Sequence, residues 1–201
     1  MKLTRTSTLP EVAVAVGAHL ASHGIRAVLT GGACVAIHTG TYASNDADFV
    51  LQSSVSQRSL DETLAKLGFV RNGAEYVHPD IVFSIEFPPG PLSIGDDLDV
   101  VPEPLTVGRV KTLGLSPTDS CRDRLAAFYH WNDRQALALA IEIARRRPVD
   151  FNLIRKWSAR EGKTTAFGEF LRKVRARPIV AKERRGVLAH PRRDRRRRSR
   201  R

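Results

Sequence analysis

Asp46 and Asp48 stand one residue apart in the run Asp-Ala-Asp-Phe-Val-Leu, and Glu86 lies near the end of Ile-Val-Phe-Ser-Ile-Glu-Phe. Side chains alternate across a strand. In the first run the two aspartates therefore share one face, and Ala47 and Phe49 the other. In the second, Ile81, Phe83, Ile85 and Phe87 form an apolar face, while Val82, Ser84 and Glu86 point the opposite way. If the two runs are neighbours in a sheet, three carboxylates crowd one surface and repel one another at neutral pH. A divalent cation removes that cost, and hard oxygen ligands suit Mg²⁺ or Mn²⁺. Such a cluster can activate an attacking hydroxyl and neutralise a triphosphate at once, as two-metal sites do. Asp80, Asp96, Asp97 and Asp99 compete with Glu86 as the third acid, but they fall in turn-like stretches where acids are solvated. Thirteen residues separate Asp46 from the preceding pair Gly31 and Gly32. Backbone without Cβ admits a phosphate closely, and a helix N-terminus offers free N–H donors. Ser44 can supply a hydroxyl to the same phosphates.

The elements that must position these groups follow from pattern. Thr8, Pro10 and Glu11 mark a helix start. Val12, Val16 and Leu20 then recur on one face, and Gly24 can end the helix. Residues 25–30 form a short β-prone run that leads into the glycine pair. A short helix follows, with Gly40 closing it, and the aspartate strand comes next. A helix from about Ser56 places Leu60, Leu64 and Leu67 inward. After the Glu86 strand, residues 88–99 read as a loop, and residues 104–115 as a further strand or hairpin. From Ser116 the pattern turns helical, over about 117–130, 133–145, 151–161 and 166–175. The expected architecture is α+β: a small mixed sheet with flanking helices, then a helical half. The expected division is a core at 1–114, a helical domain at 115–176 and a basic tail at 177–201.

Charge is concentrated at one end. Of 33 lysines and arginines, 15 lie between Arg172 and Arg201 together with 2 of the 21 acids, which leaves 18 bases and 19 acids elsewhere. The body is near neutral, so the net +12 says little about its site. From Lys182 onward few apolar residues accompany the arginines, and such a segment cannot bury enough surface to offset the entropy of ordering. It is expected to be disordered, with salt-sensitive affinity for RNA or DNA phosphates. No apolar run reaches the roughly 20 residues of a membrane helix. Cys34 and Cys121 form no CxxC pair and read as buried small residues, which fits a reducing cytoplasm. His38 reads as a packed or surface residue. Trp157 reads as core.

The order Gly-Gly, thirteen residues, then Asp-Ala-Asp-Phe resembles the nucleotidyltransferase signature of the polymerase-β superfamily. The stretch Leu29–Val50 is most similar to bacterial toxin–antitoxin and abortive-infection members. The resemblance covers roughly Ile25 to Gly162. It implies an NTP substrate, Mg²⁺ or Mn²⁺ held by Asp46, Asp48 and Glu86, and catalysis by the same acids. Phosphates would be held by Gly31, Gly32 and Ser44. It also implies an RNA or protein acceptor, a cognate toxin or antitoxin partner, and a basic residue and a later acid facing the nucleotide, with Arg122, Arg124 and Asp133 as candidates. Two departures stand out. Tyr42 occupies a position where abortive-infection members often carry Arg, and Arg replaces a helical Lys. Arg holds phosphate but stays protonated, so it cannot move a proton. A fold-retaining relative without turnover, regulatory or antitoxin-like, and a nucleic-acid-binding module driven by the tail are the alternatives.

Overall fold

The computed structural model describes residues 3–40 and 44–176. Tyr42 and the arginine-rich tail from 177 lie outside the described residues. Fourteen elements alternate and then turn all-helical: α1 (Leu9–Ser22), β1 (Ala27–Leu29), α2 (Gly31–Thr39), β2 (Asp46–Leu51), α3 (Gln57–Ala65), β3 (Val70–Asn72), β4 (Glu75–His78), β5 (Ile81–Glu86), β6 (Glu103–Val107) and β7 (Val110–Gly114), then α4 (Pro117–Trp131), α5 (Arg134–Arg146), α6 (Phe151–Arg160) and α7 (Thr164–Arg175). The architecture is α+β, as the pattern predicts.

One seven-stranded mixed sheet runs in the order β3-β4-β5-β2-β1-β7-β6. β2 lies parallel to β5, and β1 parallel to β7; the other pairs are antiparallel. Local chemistry sets the ends of the elements. Thr8 and Glu11 close a full capping box on α1, a device worth about 1 kcal/mol. Gly40 ends α2 in the left-handed region at φ +72°. Asn132 ends α4 at φ +54°, and Asp133 caps α5 by accepting from the N–H groups of Gln135 and Ala136.

The core is continuous from the sheet into the helices. Phe49, Leu29, Leu20, Leu115, Ile154, Trp157 and Phe170 all belong to it. Each such side chain contributes roughly 1.5–3 kcal/mol on burial. α2 packs between β2 on one side and α4 and α5 on the other. Polar contacts reinforce that junction: His38 Nε2 and Cys34 Sγ both reach Leu115 O, and Arg146 and Arg147 donate to Thr39 O and His38 O at 2.9 and 2.6 Å. Burial lowers the pKa of His38 and pushes the Cys34 thiol up to about 12, so both are packing groups. Trp157 is core at 1% exposure, whereas Trp131 is 78% exposed. Among the described residues no helix is long and apolar enough to cross a membrane.

Residues 70–78, assigned to no element from the sequence, form the β3–β4 hairpin. Residues 104–115, left open as strand or hairpin, correspond to the β6–β7 hairpin, which spans 103–114.

Candidate active site

The site begins with strand phase. On β2, Ala47 and Phe49 are buried while Asp46 and Asp48 are half-buried on the opposite face. On β5, Ile81, Phe83 and Ile85 are buried, and Ser84 and Glu86 half-buried. The parallel register pairs Asp46 with Ser84 and Asp48 with Glu86, so the three acids share one sheet face. β4 continues the row, because Glu75 pairs with Glu86. Of the competing acids, Asp80 pairs with Arg5 at 2.7 Å, and Asp97 is committed to arginines away from this row.

The crowding has an electrostatic consequence. Burial, then the charges of Asp46 and Glu86, raises the Asp48 carboxyl to about 6. Burial, then Asp46 and Glu75, raises Glu86 as well. The Ser44 hydroxyl donates to Asp46 Oδ1 in a very short contact.

Gly31 and Gly32 do not precede α2; they are its first two residues. The backbone enters through Thr30, whose N–H donates to Asp48 O at 2.9 Å. Gly31 itself sits at φ +60°, and a Cβ there would overlap Asp48 Oδ2. The first glycine is therefore required twice, by the left-handed backbone and by the adjacent carboxylate.

Across from Gly31 and Asp48 lies α4. A cleft of about 300 Å³ is bounded by Thr30, Gly31 and Asp48, by Asp123 and Arg124, and by an apolar wall that includes Pro88, Pro91 and Leu92. Arg124 donates to Asp123 at 2.7 and 3.0 Å. Burial works against its charge, but Asp123, Asp48 and Asp133 together raise its pKa.

Of the residues selected from the sequence, Asp46, Asp48, Glu86, Gly31 and Ser44 come together, and Gly32 lies buried next to Gly31. Arg122 does not join them. It is 2% exposed, bound to Asp119 and Asp97, and stacked on Trp157 with its guanidinium 5.1 Å from the ring centre. Two residues further on, α4 has turned by more than half a revolution, so Arg124 and not Arg122 faces the cleft. Asp133 caps α5 and acts on the cleft through Arg124. Glu75 and Asp123 are additional acids that the sequence reasoning passed over.

The acid row offers the hard oxygen donors that Mg²⁺ or Mn²⁺ takes. Among the described residues, however, no group of three or more His, Cys, Asp or Glu side chains stands at ligand geometry. The donor chemistry fits such a cation.

The fold is similar to that of an antigenic nucleotidyltransferase-like protein from Paracoccidioides brasiliensis. That crystal structure matches 85% of this chain and 94% of its own, at 19% identity and a TM-score of 0.54. The likeness defines the class of fold as nucleotidyltransferase-like. The solution structure of the antibiotic-resistance factor ANT(2'')-Ia is a weaker likeness, at 12% identity and a TM-score of 0.46 over 78% of this chain and 93% of that one. No protein-family model matches the chain, and no curated protein does.

Proposed function

We propose that the protein is a nucleotidyltransferase that moves a nucleotidyl group from an NTP to an RNA or protein acceptor. The observation that carries this reading is the register of β2 against β5. It aligns Asp48 with Glu86 beside Asp46, with Gly31 opening a helix against the same carboxylate.

In this reading residues 1–114 are the catalytic core, 115–176 the helical domain, and the cleft between them takes the triphosphate. The N-terminal N–H groups of α2 at Gly31 and Gly32, with Ser44, hold the β- and γ-phosphates. Arg124 holds phosphate from the opposite side. Asp46, Asp48 and Glu86 would hold Mg²⁺ or Mn²⁺, which neutralises triphosphate charge and lowers the pKa of a bound hydroxyl. Glu86, whose pKa is raised by burial and by Asp46, takes the proton of the acceptor hydroxyl. The acceptor oxygen bonds to the α-phosphorus as the bond to the bridging oxygen breaks, and pyrophosphate leaves. Placement among toxin–antitoxin proteins, with a cognate partner, rests on the resemblance of residues 29–50. The test is incubation with each of four α-labelled NTPs and cell extract. Label should enter a macromolecule with wild-type protein and not with Asp46→Asn or Asp48→Asn; labelling that survives both substitutions refutes the reading.

A second reading, a nucleotide-binding relative without turnover, is favoured by the absence of preassembled ligand geometry among the described residues and by Arg in place of a proton-moving Lys. It predicts NTP binding with no transfer to any acceptor.

A further inference from the structure

The apolar wall of the cleft is a loop that needs holding, and the side chains that hold it lie outside the acid row. Residues 88–93 line the cleft. Immediately after them the chain makes a tight turn, in which Ile94 and Asp97 exchange backbone hydrogen bonds of 2.9 and 3.2 Å. The helical half supplies anchors for that turn. Trp157 Nε1 donates to Ile94 O at 3.2 Å, and the Asp96 N–H donates to Glu161 Oε1 at 3.0 Å. Arg122 and Arg160 both bind Asp97 Oδ2, the second at 3.0 Å. Burial opposes the charge of Asp97, yet the Asp99 N–H and the two guanidinium groups prevail and hold its pKa below the carboxylate range. Gly95 is confined too, since it sits at φ +58° and a Cβ there would overlap Glu161.

Arg122 is the connecting residue. It grips Asp97 and Asp119 and lies over Trp157, while the next two residues of α4, Asp123 and Arg124, line the cleft. One helix thus carries both a charged wall of the cleft and the clamp on its apolar wall.

We propose that Asp97 is a positioning residue for nucleotide binding: clamped by Arg122 and Arg160, it sets the distance between the 88–93 wall and the Asp48 face. This rests on the nucleotidyltransferase reading. Asp97 touches no reacting atom, so loosening it should weaken nucleotide capture and spare the chemical step. Loosening the wall lowers the fraction of molecules with a closed cleft, and apparent affinity falls by that fraction.

The experiment measures NTP KM and kcat alongside amide hydrogen exchange of residues 88–97, in wild type, Asp97→Asn, Arg160→Ala and Arg160→Lys. Arg160 is two-thirds exposed, so its variants fold even if Asp97→Asn does not. In Asp97→Asn and Arg160→Ala we expect faster exchange confined to 88–97, NTP KM raised about tenfold, and kcat within about threefold of wild type. Arg160→Lys should recover most of the KM. Unchanged exchange, or kcat and KM changing only in step with lost folded protein, overturns the clamp while leaving the nucleotidyltransferase reading intact. Wild-type protein that neither binds nor transfers any NTP overturns that reading, and the nucleotide role of the clamp with it.

Discussion

Two groups of carboxylates in this protein live under opposite electrostatic rules. On the β2–β5 face, Asp46, Asp48, Glu86 and Glu75 neighbour one another without an ion pair among the described residues, and burial with mutual repulsion raises Asp48 to about 6. Behind the loop wall, Asp97, 14% exposed, is held by two guanidinium groups, and its pKa falls. Both groups are partly desolvated. The difference is whether positive charge was built in. A paired carboxylate holds structure together, whereas an unpaired row costs stability until something positive arrives, which marks functional sites. α4 separates the two environments by facing Arg122 one way and Arg124 the other.

Breaking the unpaired row should affect activity most. Asp48→Asn is expected to lower nucleotidyl transfer at least about 10⁴-fold, equivalent to about 5 kcal/mol of barrier, in a single-turnover assay with labelled NTP. Breaking the paired group should instead affect the fold. Arg122→Ala leaves Asp97 and Asp119 without their buried partner and uncovers Trp157, so denaturant unfolding should show a loss of about 3–5 kcal/mol. If Arg122→Ala keeps full stability and loses only catalysis, the assignment of the two groups is reversed.

Gly31→Ala bears on both stability and site. Left-handed backbone costs a non-glycine residue about 1–3 kcal/mol, and the added Cβ must push the Asp48 carboxylate aside. Thermal melting should fall accordingly, and Mg²⁺-dependent NTP binding should weaken.

The smallest effect is also the sharpest contrast. Asp48 titrates near 6 when folded, against 3.8 for an ordinary aspartate, so stability declines as pH rises from about 4 to 6. Asp48→Asn removes that decline and should gain on the order of 2 kcal/mol over wild type at pH 7, and nothing at pH 3.5. Asp97 behaves oppositely: its contribution is complete above the normal aspartate range and is lost as pH falls through its lowered folded value. Denaturation curves across pH 3–7 for both asparagine variants check the two signs together.

How much of this was legible in the sequence follows the same physics. Period-2 alternation was enough to put Asp46, Asp48 and Glu86 on solvent-side faces, because strand phase is local. That β2 and β5 are parallel neighbours is a long-range fact, which alternation only allowed. Helix starts at Thr8, Ser56 and Ser116 were legible because caps are local chemistry. Gly31 was read as a phosphate turn, yet its nearest obligation is to a carboxylate seventeen residues on, which no local pattern reveals. Arg122 and Arg124 are indistinguishable by type, and the choice between them depends on the rotation of α4 relative to a loop. The β3–β4 hairpin was missed although Asn72-Gly73 is a hairpin signal. Its strands are three and four residues long and β3 is exposed throughout, so no apolar alternation marked it. Glu75 was missed with it.

The central claim is that the unpaired acids are a cation-dependent nucleotide site. Its most direct test is equilibrium binding of each of the four NTPs to the full chain, with and without Mg²⁺, for wild type and Asp48→Asn. We predict that at least one NTP binds wild type tenfold or more tightly with Mg²⁺, and that Asp48→Asn abolishes the difference. Mg²⁺-dependent binding that persists unchanged in Asp48→Asn, or no binding of any NTP to folded wild type, would contradict the claim.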